Sequence, residues 1–471
     1  MKEEAVDEMA ADKDESEIKA LWVTFVGTST FHGLHYLFDA LSRLRKLAWA
    51  LLLLAAFTVF VRQILYGYTK LQKHEVFITT EFKPNVELTF PAVTVCNVNM
   101  MKKSHLLKTE AQTYLDGTDW RHPNMRQLYK AYNKSYNLEK AVQDYGHVYS
   151  DMIKKCQFIG QACDKVFEIR TFIDAKNGLC HTLNSGKNMT IYKTGASYSL
   201  SLLLDAQPEE YYGRFSREGT GFIIVIHNQS VSPNPEYNGI TVSPGFNTQF
   251  KLEERRVMRQ PFPYSSKCSS EVTDGYILTR ERCLLRCRVE KLAEELQCRV
   301  IGTPPEMYPN MRLCGAKEMV ENISRIMTEL KEERDCKCSP PCDVTTYDAQ
   351  ISSTYHPSQS QWSFVSDTIK NQYNKYNATN ITQANRMSFH EWYRNRFASL
   401  NFYFGSLVTE ITREVPAYEF WDFASDFGGN MGLFLGCSVL TLCELFDVII
   451  LTIVRWFKRK TRIMNVAGAV S

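Results

Sequence analysis

Hydrophobic positions gather into two long blocks near opposite ends of the chain, and the stretch between them reads like a sheet-rich soluble protein. The first block runs from Leu47 to Val61. It reaches the ~20 residues that cross a bilayer once Ile64, Leu65, Tyr66 and Tyr68 are added across Arg62, which can snorkel. A secretory signal peptide is a poor alternative, because 46 residues precede the block and no small-residue cleavage site follows it. The second block runs from about Phe420 to Val454. Between the blocks, Val86–Val95, Tyr198–Leu204, Phe222–His227 and Asn401–Ile411 have the β-branched, aromatic and apolar content of strands. Met125–Lys155, Glu290–Leu296 and Lys317–Glu333 carry helical spacing. Residues 1–20 are acidic and poor in apolar side chains, which predicts a disordered tail. Residues 21–45 form an organised pre-membrane segment, for which an amphipathic interfacial helix is the plainer alternative.

Charge then orients the chain. Arg43, Arg45 and Lys46 precede the first block, and Arg455, Lys458, Arg459, Lys460 and Arg462 follow the second. Basic residues favour the cytoplasmic side. The expected layout is therefore a span at 46–68, an extracellular domain at 69–417, a second span at 418–454 and a cytoplasmic tail at 455–471. This describes a multi-pass plasma-membrane protein with both termini cytoplasmic. The basic clusters read as topology signals rather than nucleic-acid sites, and the net charge of +3 adds nothing about partners.

Two further patterns agree. Sequons at Asn133, Asn188, Asn228, Asn322, Asn377 and Asn380 all fall in the middle segment and are candidate glycosylation sites. Twelve of the 14 cysteines lie there too, from Cys96 to Cys342, leaving Cys437 and Cys443 in the second block. Some of the spacings would suit zinc, but an even set outside the cell favours disulfides over a metal. The ten histidines are scattered and no glycine-rich phosphate loop with a following lysine occurs, so neither an enzyme nor a cofactor is expected.

The second block has an unusual composition for a lipid-facing helix. Gly428, Gly429, Gly432 and Gly436 open it and Glu444 and Asp447 lie within it. Glycine costs a helix about 1 kcal/mol relative to alanine. A carboxylate near the bilayer centre costs roughly 2.5–3.5 kcal/mol. At about 100° per residue, Ser425, Gly429, Gly432, Gly436 and Asp447 share one stripe of a straight helix, with Asp426 and Glu444 flanking it. Small residues leave room for ions and carboxylates concentrate cations, so an aqueous pore is favoured over a Gly-x-x-x-Gly packing seam.

These motifs resemble the epithelial sodium channel/degenerin superfamily, nearest its acid-sensing and neuropeptide-gated (cnidarian-type) branch. The resemblance runs from about His32 to Asp447. It is carried by His32-Gly33, by Leu88 to Asn97, by Cys180 to Gly186, by Pro244-Gly245-Phe246, by the cysteine series and by Gly428 to Asp447. It implies an α+β membrane protein in which two transmembrane helices flank a large disulfide-rich, β-sheet-centred ectodomain of palm, knuckle, finger, thumb and ball. It also implies a trimer, homomeric or with sister subunits, and two helices per chain could not otherwise enclose a pore. The belt Gly436-Cys437-Ser438 becomes the selectivity filter, with Cys437 in place of the usual alanine and so open to thiol reagents. His32 and Gly33 become a re-entrant motif beneath it. Ser425 matches the degenerin site and, with Gly429, lies near the expected amiloride site.

The resemblance further implies the disulfides Cys96–Cys180, Cys156–Cys163, Cys268–Cys342, Cys283–Cys338, Cys287–Cys336 and Cys298–Cys314. One more thumb bridge of acid-sensing relatives is missing, its positions falling at Leu296 and about Met319. The acidic finger pair of those relatives aligns with Ser230 and Val231, and the thumb pair with Glu321 and Arg325. Their chloride-binding Arg and Glu align with Leu284 and Arg288. A palm lysine survives as Lys193, so Lys193 and Glu321 remain gating candidates. The resulting expectation is an amiloride-sensitive sodium channel subunit opened by an extracellular neuropeptide, with membrane lipid around it, sodium as permeant ion and calcium as a modulator. A proton-gated channel is the alternative, and a non-conducting two-span receptor a more remote one.

Overall fold

The first apolar block builds the 31-residue helix Arg43–Lys73, long and apolar enough to cross a membrane. The second builds two helices, Phe420–Leu435 and Val439–Ala469, which pass the same test only as a pair bent by 77°. The computed structural model describes residues 16–29, 31, 33–38, 42–118, 136–186, 189–212, 219–303, 307–315, 318–379 and 387–469. The chain divides into a membrane-helix unit (Met1–Phe77, Pro263–Ser265, Val415–Ser471) and a sheet unit (Ile78–Phe262, Ser266–Glu414).

In the membrane-helix unit the first helix starts at Arg43 and continues to Lys73, beyond the expected 46–68, and stops where His74 turns left-handed (φ 48°) and donates its N–H to the Leu71 carbonyl. Residues 16–28 are helical, which corrects the expected disorder over 16–20. The reason is packing: Phe25 is buried, and Arg455 donates to the Glu17 carbonyl at 3.1 Å. Aromatic pairs join the first helix to Phe420–Leu435, with ring centroids 5.8 Å apart at Phe60–Phe427 and 6.5 Å at Tyr68–Phe423. Gly67 lets them approach, since a Cβ there would lie 3.2 Å from the Tyr418 hydroxyl.

The longer strands are β1 (Val76–Pro84), β2 (Ala92–Asn97), β3 (Ile153–Phe158), β4 (Ile169–Asp174), β5 (Gly178–Leu183), β6 (Leu200–Asp205), β7 (Phe222–His227), β8 (Ile240–Val242), β9 (Phe246–Met258), β10 (Asp343–Tyr355) and β11 (Phe397–Pro416). A seven-stranded sheet runs β10-β9-β11-β6-β3 and on to Gln161–Ala162, with β1 on β11; a five-stranded sheet runs β8-β7-β2-β5-β4. Only β9 and β11 pair in parallel among these registers, and the register shifts between Leu252 and Glu254. Alternation sends Leu400, Phe402 and Phe404 of β11 into the core, where Phe402 stacks on Phe250 at 4.6 Å. Strands β2 and β5 are buried on both faces, and their polar members are hydrogen-bonded there: Thr94 to Thr182 at 2.7 Å and His181 Nε2 to the His147 carbonyl at 2.9 Å.

Three elements differ from the periodicity. Of Met125–Lys155, helix occupies Leu138–Tyr145 and Tyr149–Met152, residues 125–135 lie outside the described set, and Ile153–Lys155 begin β3. Pairing with β6 and the Cys156–Cys163 bridge override helical spacing there. Lys317–Glu333 is broken into a π-turn at Glu318–Asn322, a helix at Ile323–Glu329 and a short turn beginning at Glu332. Val86–Val95 is interrupted at Phe90-Pro91, since proline cannot donate to a ladder. The helix at Glu290–Leu296 is longer than expected and starts at Arg280, with the Thr279 hydroxyl capping the Arg282 N–H.

Six disulfides join Cys96–Cys180, Cys156–Cys163, Cys268–Cys342, Cys283–Cys338, Cys287–Cys336 and Cys298–Cys314. These are the pairs implied by the resemblance, and Cys437 and Cys443 are free thiols.

Candidate pore segment and gating contacts

The upper helix of the broken pair begins with a capping box, in which Glu419 and Asp422 each accept the other's backbone N–H. It ends at Gly436, whose left-handed φ of 65° suits glycine, and whose N–H closes on the Gly432 carbonyl. The lower helix restarts with a reciprocal cap: the Ser438 N–H donates to Thr441 Oγ1 at 3.1 Å and the Thr441 N–H to Ser438 Oγ at 3.4 Å. The break is therefore written into Gly436-Cys437-Ser438. A helix C-terminus carries partial negative charge, so the upper helix presents its cation-attracting end to this belt.

The two faces of the upper helix differ. Phe423, Phe427 and Met431 turn toward the first helix, whereas Ser425, Gly429 and Gly432 are exposed, and a Cβ on Gly429 would meet nothing within 4 Å. Asp426 accepts from the Tyr418 hydroxyl at 2.6 Å, which fixes its position. Glu444 and Asp447 are exposed on the lower helix. The single stripe that a straight helix would give is corrected past Gly436, because the 77° bend takes Asp447 off it. The expected thiol reactivity at the belt is corrected as well. Cys437 is 4% exposed and packs with Phe31, Phe60, Met431 and Leu442.

Phe31 thus reaches the belt cluster from the pre-membrane segment; His32 lies outside the described residues. Gly33 has φ 84°, and a Cβ there would lie 3.2 Å from the Trp49 ring, itself stacked on Tyr36 at 4.5 Å. Gly33→Ala combines a left-handed penalty of roughly 1–2 kcal/mol with that crowding. The expected result is at least a severalfold loss of current at unchanged surface level, measured by paired recording and surface labelling.

In the sheet unit, Ser230 is tied to Asn228, whose Oδ1 accepts both the Ser230 N–H at 2.9 Å and its hydroxyl at 2.6 Å. Asn228 is therefore half-buried and committed, while Asn322 is half-buried at the π-turn. Asn377 falls in helix Asp367–Thr379, and Asn133, Asn188 and Asn380 lie outside the described residues. Glu321 is exposed, and Arg325 pairs with Glu329 at 3.0 Å and Glu295 at 3.8 Å. Arg288 hydrogen-bonds the Tyr237 hydroxyl and lies 3.9 Å from Glu236. Lys193 sits over the Tyr198 ring at 5.3 Å.

The buried histidines each have both ring nitrogens committed. His147 donates from Nδ1 to Gln207 and accepts at Nε2 from Asn99. His227 faces the Asn228 and Val231 carbonyls with Nδ1 and the Thr94 hydroxyl with Nε2. Burial lowers both from 6.5 to about 4, and lowers His181 too. They are neutral at physiological pH. Because the unfolded chain binds these protons first, stability is full above pH 6.5 and falls as pH drops toward 4. Each ring contributes up to roughly 3 kcal/mol to that fall. Thermal melting of the solubilised chain should show a lower midpoint at pH 4.5 than at 7.5, and a pH-independent midpoint would contradict neutral burial.

Sequence reasoning missed one buried network. Arg396 lies against Asp205 with Nε 2.6 Å from Oδ1 and Nη2 donating to Oδ2 at 3.0 Å, and it also reaches Glu209 at 2.5 Å. Asp205 ends an apolar strand and Arg396 ends a helix far along the chain, so nothing local couples them. Among the described residues no cluster of side chains suited to a metal occurs.

Comparison with known proteins places these features. Acid-sensing ion channel 4-B of Danio rerio is 29% identical over 444 residues, covering 90% of this chain and 75% of that protein. Acid-sensing ion channel 2 of Mus musculus is 27% identical over 466 residues, covering 90% and 85%. A solved proton-activated chloride channel aligns over 86% of this chain and 96% of its own at 8% identity and TM-score 0.31, too low to bear on the fold. Residues 25–448 match the amiloride-sensitive sodium channel family, and the chain belongs to that family of ion channels, which are not enzymes.

Proposed function

We propose that this chain is one subunit of a trimeric plasma-membrane sodium channel opened by an extracellular peptide, with both termini cytoplasmic. The observation that carries the pore is the upper helix Phe420–Leu435, packed on one face and open along Ser425, Gly429 and Gly432 on the other, ending at the capped belt. Three such faces enclose a path whose narrowest ring is Gly436-Cys437-Ser438, formed by backbone because the Cys437 thiol is buried. Glu444 and Asp447 raise local cation concentration below it.

Support for a peptide over protons comes from the sheet unit. Of the four positions that pair carboxylates in acid-sensing relatives, three hold Ser230, Val231 and the ion-paired Arg325, and Glu321 alone keeps its acid. The buried histidines stay neutral down to about pH 4. A ligand opens such a channel only by binding the open arrangement more tightly than the closed one. Strand β11 ends at Pro416, a few residues before the pore helix begins at Phe420, so the chain itself offers little slack. Whole-cell recording tests the stimulus: steps from pH 7.4 to 5, then amidated neuropeptides at neutral pH, with amiloride as blocker. A peptide-evoked, amiloride-sensitive current supports the proposal. A current evoked by acid alone overturns the stimulus and sustains the channel. A homotrimer gives current from this chain by itself; current only with a sister subunit present shows a heterotrimer.

A further inference from the structure

The sheet unit holds a half-open polar cavity of about 720 Å³, and of the pore and gating positions above only Ser230 lines it. That volume falls inside the roughly 300–1,000 Å³ of small-ligand sites. Its floor is one face of four adjacent strands. Lys83 and Asn85 come from β1 and the turn after it, and Thr409 and Ile411 from β11. Glu254 and Arg256 come from β9, and Thr345 and Tyr347 from β10. Register aligns them: Glu254 is opposite both Thr409 and Tyr347, and Arg256 is opposite Ile411 and Thr345. The roof is made by Arg170, the Asn228–Ser230 turn and the hairpin tip Asp274–Tyr276.

Most of the charges around this cavity are already spent. Arg256 pairs with Asp343, Asp274 with Arg282 at 2.9 Å, and Arg170 with Glu168 at 3.0 Å. Two poles are left. Lys83 makes no salt bridge among the described residues. Glu254 accepts one hydrogen bond from the Thr409 hydroxyl at 2.6 Å and likewise pairs with no cation among them. The two poles sit on strands that flank β11, about 10 Å apart at two strand spacings, which is about three residues of extended chain.

Resting on the ligand-gated function above, we propose that this cavity is the ligand site, taking a short extended peptide whose cationic side chain meets Glu254 and whose backbone carbonyls meet Lys83. The position suits gating, since β1 follows the first membrane helix in the chain and β11 precedes the second. A ligand held between floor and roof favours whichever arrangement brings them together. Burying the cation beside an unpaired carboxylate supplies the differential affinity that a population shift needs.

A tethered cation tests the site without knowledge of the natural peptide. The full-length Thr345→Cys chain is treated with the trimethylammonium-ethyl methanethiosulfonate reagent, and the unsubstituted chain reports any effect at Cys437 or Cys443. The expected result is a standing amiloride-sensitive current at least tenfold above the treated unsubstituted chain, lost when Glu254→Gln is added. Confirmed modification with unchanged current overturns the site, provided that Ser425→Trp conducts. Silence of Ser425→Trp at the cell surface, alone and with sister subunits, overturns the channel reading and the site with it. Where a neuropeptide opens the channel, Lys83→Gln and Glu254→Gln should raise its half-activating concentration at least tenfold; superimposable dose–response curves overturn the site and leave peptide gating standing.

Discussion

Ser425→Trp is expected to hold the channel open, giving a large amiloride-sensitive sodium current without any stimulus. Ser425 is exposed on the small-residue face of the upper helix, one turn before Gly429, where an added Cβ meets nothing in the single chain. In the proposed trimer that open face converges with its two copies when the pore is shut. Overpacking a close contact costs roughly 1–3 kcal/mol, and three tryptophans meet at once. Moving a two-state equilibrium from 1:99 to 99:1 takes about 5.5 kcal/mol, so three clashes are of the right size to invert the resting state. The open arrangement, with its helices apart, accommodates the rings. Surface-expressed Ser425→Trp protein that stays silent would contradict both the mapping of this position and the face assigned to the pore.

Arg396→Met is expected to remove most protein from the cell surface. The Asp205 side chain is fully buried, and burial pushes its carboxyl up against the opposing pull of Arg396 and, more weakly, Lys154. Lys154 stands 3.8 Å away and Glu209 adds a second carboxylate to the cluster. Removing one partner of a buried pair typically costs 3–5 kcal/mol, about a third of the stability of a typical domain. Surface biotinylation and thermal melting report the loss. Asp205→Leu with Arg396→Met should recover much of it, because the uncompensated charge goes with its partner. A single variant with normal surface level and melting would show that water reaches Asp205.

How far the sequence foretold this molecule depends on whether the signal was local. Apolar runs long enough for a bilayer foretold the Arg43–Lys73 helix, whereas the break after Leu435 is not legible in the glycines, of which only Gly436 lies at it. β-Branched, aromatic and apolar content found β7, which is buried almost throughout, and much of β11, where buried and half-buried residues take turns. Helical spacing misled at Ile153–Lys155, where strand pairing and a disulfide overrule it. Composition misled at residues 16–20, which are helical because tertiary packing holds their segment. The straight-helix stripe placed Asp447 with Ser425 because periodicity alone contains no bend. The Asp205–Arg396 pair and the polar cavity were invisible for a plainer reason: their residues come from segments distant in sequence, 191 positions for the pair, and meet through sheet register.

The measurement that reaches the central claim most directly is the reversal potential of the Ser425→Trp current in cells expressing this chain alone. The account predicts a positive reversal with sodium outside and potassium inside, a large negative shift when N-methylglucamine replaces external sodium, and removal of the current by amiloride. A current that follows the chloride gradient, or no current from protein shown to be at the surface both alone and with sister subunits, would contradict a sodium pore built on Gly436-Cys437-Ser438.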